Sequence, residues 1–378
     1  MAISRPPKGL AGLVTTFGTE WGRPITLAGG AGGRIYFPDA YRRDWAIPCD
    51  ICLGGVGLGE PAQTSKLYAS SFRATNGGIG RIVVSIVGTK NVTGNVFYAA
   101  HASLFPSQTA HAWQPNQAVV VGDRRTNDNR QYVVYSITGG GVTAASGGPT
   151  GNGDANHRVV DNQVTWRCIV NGSTHDSAVP DAEFIAGSGG VVNGITLPEG
   201  IVPALRRELN ISHFNLRCYS NGAAMGDMLI RRFPMMFRSA ILMAGCGPLS
   251  TDPKYVSTSG SGTSVLVAGM TSDITVRYGG APPSSTVAIG NHPGNKASLE
   301  DLASGMGQTG SLADTTQRLN LTTVAGNETE IWRYPTQLVV GGRNVYFEHL
   351  VANLADHNFS TQPDGFAYLN TWAAKCAI

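Results

Sequence analysis

Between Phe214 and Gly245 the chain reads, in order, as an apolar strand, a serine in a sharp turn, an amphipathic helix and a second apolar strand. The strand is Phe214-Asn215-Leu216-Arg217-Cys218-Tyr219 and the turn falls at Ser220. The helix that starts near Asn221 carries Met225, Met228, Leu229 and Arg232, and after Phe233-Pro234 the run Ser239–Gly245 supplies the next strand. A helix between two apolar strands is the repeating unit of a mostly parallel sheet covered by helices, so this segment alone demands the α/β class.

Other segments supply more of the same sheet. Arg34–Pro38 is a short strand signal, and Ala46–Leu53 is a mostly apolar run ending in the turn Gly54-Gly55-Val56-Gly57. Arg81–Gly88 is rich in β-branched residues, as suits a strand buried on both faces. Pro198–Leu209 reads as an amphipathic helix, Asn344–Val351 as a strand, and Gly365–Cys376 as a terminal helix. Residues 112–169 differ in character, with short alternating segments such as Tyr132–Tyr135 and Val164–Arg167 set between glycine, asparagine and proline. They read as a small all-β module inserted into an α/β domain formed by residues 1–111 and 170–378.

Composition narrows the class of partner. A formal charge of +3, with 14% charged residues, gives no broad basic surface for nucleic acid. The arginines at 206, 207, 217, 231, 232 and 238 are interrupted by acidic and apolar residues and read as solvated helix faces and strand ends. No apolar run reaches the roughly 18 residues of a membrane span, and the opening MAISRPPKGL lacks the apolar core of a signal peptide, so neither insertion nor ordinary export is expected. Six scattered cysteines are expected to be reduced. Cys49 and Cys52 form a CxxC with no second ligand pair to complete a zinc site, which favours two buried strand residues. No metal or cofactor is called for. The sequon at Asn358 adjoins a candidate catalytic histidine, which argues against glycosylation.

Cys218-Tyr219-Ser220-Asn221-Gly222 resembles the G-x-S-x-G nucleophile elbow of α/β-hydrolases, with Cys218 in place of the first glycine. From Phe214 to Gly245 the wording is similar to that of the polyhydroxybutyrate depolymerase and feruloyl esterase families. Ser264–Gly280 resembles the strand and acid turn of the same families, and Asp356-His357-Asn358-Phe359 stands where they place their histidine, without the flanking glycine and tryptophan. The resemblance implies an α/β-hydrolase sheet flanked by helices and a triad in the order Ser220, Asp273, His357. Ser220 would be the nucleophile, His357 its general base and Asp273 the group that orients the imidazole. It also implies an oxyanion hole from the backbone amides of Asn221 and of Gly55 or Val56, with Leu53 where the families carry histidine. His349 is the competing base, although its place within a strand suits a packed core histidine.

The insert resembles small β modules of bacteriophage tail and other virion proteins, some of which resemble carbohydrate-binding modules. Its aromatics Trp113, Tyr132, Tyr135 and Trp166 suit either stacking on sugar rings or the small core of the module. Two functions follow as expectations. One is a serine ester hydrolase acting through an acyl-enzyme on an ester-bearing polymer or acylated saccharide. It would be carried on a phage particle assembled in the host cytoplasm, in several copies and in contact with other virion proteins. The other is a virion structural or attachment protein that keeps the scaffold without turnover.

Overall fold

The structure is a computed structural model. It describes residues 23–26, 32–37, 44, 46–55, 80–91, 94–96, 111–120, 123–127, 130–150, 158–169, 182, 185–187, 190–192, 195–197, 199–245, 261–276, 278–280, 294–319, 328–357 and 363–376. The first strands are β1 (Arg23–Thr26), β2 (Gly32–Tyr36), β3 (Ile47–Leu53), β4 (Ile82–Ile86) and a hairpin, β5 (Thr89–Asn91) and β6 (Gly94–Val96). Next come β7 (His111–Ala112), β8 (Arg124–Asn127), β9 (Arg130–Ile137), β10 (Arg158–Asp161) and β11 (Val164–Ile169). A hairpin follows, β12 (Gly190–Val192) and β13 (Ile195–Leu197), then β14 (Ile211–Tyr219), β15 (Phe237–Met243) and β16 (Ser264–Met270). The remaining strands are β17 (Ala313–Leu319), β18 (Thr329–Arg333), the hairpin β19 (Leu338–Val340) and β20 (Arg343–Val345), and β21 (Phe347–Ala352). Helices are α1 (Ile201–Glu208), α2 (Asn221–Arg232), α3 (Asn295–Gly305) and α4 (Pro363–Cys376).

Among the described residues, ten strands form the main sheet in the order β1-β2-β4-β3-β14-β15-β16-β21-β18-β17. From β4 to β21 every neighbouring pair is parallel, while the outer pairs on both sides are antiparallel. Alternate residues of the central strands enter two apolar clusters. One contains Ile51, Leu216, Leu242 and Val267 with side chains of α1, α2 and α3, and the other contains Ile241, Leu266 and Leu350 with Leu369 and Trp372 of α4. Burial on both faces is why these strands are nearly continuous apolar runs in the sequence. The architecture is that of an α/β-hydrolase: a mostly parallel sheet with helices on both sides and a serine turn at its centre.

The expected strand at Asn344–Val351 is divided. Arg343–Val345 belongs to a hairpin, and the strand is interrupted at Tyr346, whose N–H donates to Ser264 Oγ at 3.1 Å, before Phe347 joins β16. Apolar alternation runs through both pieces, so periodicity could not mark the break.

Two of the arginines read as solvated are buried. Arg217 is 3% exposed and lies in a polar network on the α4 side of the sheet. There Asp50, 0% exposed, accepts from Arg81 Nη1 at 2.8 Å and from Asn215 Nδ2 at 2.9 Å, with Arg217 Nε 3.8 Å away. Arg217 Nη2 donates to Asn370 Oδ1 of α4 at 2.6 Å. Burial pushes the Asp50 carboxyl upward, but the two guanidinium charges and these hydrogen bonds win and hold it at about 2. Arg231 is likewise buried, between Asp227 (2.5 Å) on its own helix and Asp301 (2.7 Å) on α3. In both cases a carboxylate distant in sequence, or on the inner face of a helix, replaces the water that the charge would otherwise need.

Cys49 and Cys52 are both buried on β3, in opposite apolar clusters. Residues three apart on a strand point to opposite faces, so the pair cannot share a metal ion.

Strands β7 to β11 form a sheet of their own, ordered β10-β11-β9-β8-β7, around Val119, Tyr132, Val134, Val164 and Trp166. Asp161 ties it together: its Oδ2 accepts the indole N–H groups of Trp113 (2.8 Å) and Trp166 (3.0 Å), and its Oδ1 accepts the amide of Ala144 (2.9 Å).

Candidate active site

Sheet order locates the site before any motif is consulted. Strands β3 and β14 are neighbours, but the chain continues from β3 to β4 on one side and from β14 to β15 on the other. Ligands of open α/β sheets lie beyond the carboxyl ends of the strands at such a reversal. Gly54-Gly55 follow β3 and Ser220 follows β14, so both stand at that point.

Ser220 has φ 55° and ψ −119° between the end of β14 and the start of α2. A non-glycine residue held there costs of order 1–3 kcal/mol, a cost tolerated where the surrounding structure over-determines the turn. Close packing does this here. A Cβ on Gly222 would lie 2.3 Å from the Leu53 carbonyl oxygen, so only glycine lets the first turn of α2 rest on the end of β3. Cys218, which fills the usual first glycine of the elbow, is accommodated from the opposite partner: a Cβ on Gly226 of α2 would meet the Cys218 sulfur at 2.6 Å. The empty volume has moved from strand to helix, and the helix still approaches the sheet.

Asp273 follows β16 in a tight turn, where its Oδ1 accepts the amides of Thr275 (2.7 Å) and Val276 (2.9 Å). Its Oδ2 lies 2.6 Å from Nδ1 of His357. Nε2 of His357 lies 2.9 Å from Ser220 Oγ. With an acceptor-only carboxylate on one side, Nδ1 carries the ring proton and Nε2 offers its lone pair to the serine hydroxyl. The Asp273 side chain is 1% exposed and that of His357 23%, so the acid is sequestered while the base meets solvent.

The histidine loop is pinned to the acid turn. Thr271 N–H donates to the Ala352 carbonyl (3.1 Å), Leu354 N–H to Thr271 Oγ1 (2.8 Å) and Ser272 N–H to the Ala355 carbonyl (3.1 Å). Tyr219, next to the nucleophile, donates its hydroxyl to the His357 main-chain carbonyl at 2.6 Å. Thr271 lies in the acid turn and Tyr219 at a variable position of the elbow, but the sequence assigned neither a role, because both act on partners more than 80 residues away.

Of the expected oxyanion donors, Asn221 opens α2, where amides point out of the helix end. Gly55 lies against the nucleophile, since a Cβ there would be 3.1 Å from Ser220 Cβ. Val56 lies outside the described residues. An open cleft of about 450 Å³ adjoins the acid turn, walled by Thr271–Ile274 and Tyr278–Gly280.

His349, the competing base, is fully buried in β21. Its Nδ1 lies 2.9 Å from the Val267 carbonyl and therefore donates, leaving Nε2 to accept from the Tyr278 hydroxyl at 3.2 Å. Burial is the main reason that its pKa falls to about 4. The unfolded chain takes this proton near 6.5 and the folded chain only near 4, so His349 weakens folding as the pH drops through that window. Its contribution to the loss is expected to reach about 3 kcal/mol for this fully buried ring. Urea denaturation of wild type and His349→Gln should show a stability gap that narrows from pH 7 to pH 4. A gap independent of pH would refute the buried neutral ring.

The sugar-stacking reading of the insert does not hold for two of its four aromatics. Tyr132 and Trp166 are 0% exposed and form the module's core, where an aromatic ring has no face to offer a saccharide. Trp113 is half-buried with its indole N–H on Asp161. The Tyr135 side chain lies outside the described residues.

No protein-family model matches the chain, and no curated protein matches it. Among solved structures it is similar to an acetyl xylan esterase from Aspergillus awamori, at 13% identity and a TM-score of 0.43, over 92% of this chain and 99% of that one. An S-formylglutathione hydrolase from Agrobacterium tumefaciens is similar at 10% identity and a TM-score of 0.41, over 96% and 98% of the two chains. A thermostable esterase matches at 13% identity and a TM-score of 0.34 over 75% of this chain, which spans 52% of that one. The α/β-hydrolase fold of this chain rests on its own strand order and on the serine turn between β14 and α2.

Proposed function

We propose that the chain is a serine carboxylic-ester hydrolase working through an acyl-enzyme. The observation that carries this reading is the continuous hydrogen-bonded line from Ser220 Oγ through His357 to Asp273, at 2.9 and 2.6 Å, on a strained strand-to-helix turn. Ser220 Oγ attacks the ester carbonyl carbon while its proton passes to His357 Nε2, and Asp273 stabilises the imidazolium. The tetrahedral oxyanion accepts from the amides of Asn221 and Gly55. Collapse expels the alcohol, which takes the proton from Nε2, and leaves the acyl group on Ser220. Water, deprotonated by the same nitrogen, then releases the carboxylic acid and restores the serine.

The open cleft beside Asp273 and the solvent-facing histidine favour an ester carried on a large molecule, such as a polymer or an acylated saccharide. Carriage on a phage particle is supported by the residue pattern of the insert alone, and mass spectrometry of purified particles tests it.

Incubation with a fluorophosphonate and with p-nitrophenyl acetate tests the reaction class. The reagent should modify Ser220, with turnover of the ester, and Ser220→Ala should lose both. An unmodified wild-type protein that releases no p-nitrophenol would overturn the reading, and the non-catalytic scaffold would take its place.

A further inference from the structure

Tyr219 connects two parts of the site that the triad alone leaves separate. The residue is 5% exposed, and the centroid of its ring lies 5.3 Å from that of the His357 imidazole at an interplanar angle of 51°. Its hydroxyl donates to the carbonyl of the same histidine. Burial first, and then the charges of Asp273 and Asp356, raise the pKa of this phenol, so it remains a donor throughout the working range. The bonds from Thr271 and Ser272 hold residues 352–355 against the acid turn. His357 lies beyond them, and the Tyr219 hydroxyl ties its main chain to the nucleophile's own strand. Tyr219 also immediately precedes the strained Ser220, so a displacement of one moves the other.

We propose that Tyr219 is a positioning residue: its hydroxyl fixes the main chain of His357 and its ring seats the imidazole, so that Nε2 stays aligned on Ser220 Oγ. This deepens the hydrolase reading and rests on it. The family-like glycine and tryptophan are absent around His357, and Tyr219 supplies from the elbow a restraint that the histidine loop's own sequence lacks.

Tyr219→Phe keeps the buried ring and removes one oxygen. Alignment errors of about an ångström cost on the order of a hundredfold in rate, so fluorophosphonate labelling and kcat on p-nitrophenyl acetate should both fall roughly ten- to hundredfold. KM should stay within about twofold, because ground-state binding is untouched. The proton shared by His357 Nδ1 and Asp273, a short charge-assisted bond, should give a far-downfield proton resonance in wild type that weakens or broadens in the variant. Rates are to be compared on protein shown to be folded by circular dichroism, so that lost fold is not scored as lost alignment. Unchanged labelling together with an unchanged resonance would overturn the proposal, as would a change confined to KM. Failure of the hydrolase reading is seen separately, as wild type that does not label at all, and the resonance of folded wild type and Tyr219→Phe then still decides whether the tyrosine holds the ring.

Discussion

Replacing His357 with alanine is expected to lower kcat for ester hydrolysis by about 10⁴- to 10⁶-fold, and adding Ser220→Ala to that variant should lower it little further. In the proposed mechanism the two side chains act as one unit, the 2.9 Å contact between Nε2 and Oγ being the path of the proton that makes the serine a nucleophile. Asp273→Asn should cost on the order of 10⁴-fold, because an amide in place of Oδ2, 2.6 Å from Nδ1, favours the wrong tautomer of the ring. Residual activity above the water rate is expected in all three variants from the oxyanion amides. Steady-state rates with p-nitrophenyl acetate measure the series. Additive losses in the double variant would mean that His357 is not the base for Ser220.

Asp50→Ala should destabilise the fold by about 3–5 kcal/mol, the largest single-site effect expected away from the elbow. Its carboxylate is fully buried between Arg81 and Arg217, whose side chains are 11% and 3% exposed, so removal takes the anion from beside two guanidinium groups held in the interior. The cost is that of the lost counter-charge. Asp50→Ala combined with Arg217→Met should therefore recover at least half of the loss, a non-additivity expected of directly coupled partners. Equilibrium urea unfolding of the four proteins gives the cycle. If the double variant is as unstable as the sum of the single ones, the pair is not coupled and the network owes its order to packing.

Much of the candidate site was legible in the chain because its pieces are local. The turn at Ser220 between an apolar strand and a helix is a pattern of consecutive residues, and the chain order Ser220, Asp273, His357 follows from three short segments. Apolar runs marked the parallel strands, because burial on both faces leaves no room for alternation. Where two residues of one type competed, local pattern was insufficient. His349 and His357 differ by eight positions, and only the sheet decides that one is a neutral core side chain and the other faces Ser220.

The remaining decisions were tertiary for a common reason: each depends on which distant atom occupies the space beside a side chain. Cys218 fits a glycine position because Gly226 leaves room for its sulfur. Arg217 and Arg231 are buried because carboxylates reach them across strands and helices, although the sequence marked them as solvated. Tyr132 and Trp166 are interior because their module closes around Asp161, not because of any neighbour in sequence. The sequence by itself determined the fold class, through periodicity and turn chemistry that act over a few residues, and its resemblance to the depolymerase and esterase families implied the order of the chemical groups. Only the tertiary structure decided which charges are paired, which rings are exposed and which histidine meets the serine, because burial and hydrogen-bond partners are set by contacts between residues far apart in the chain.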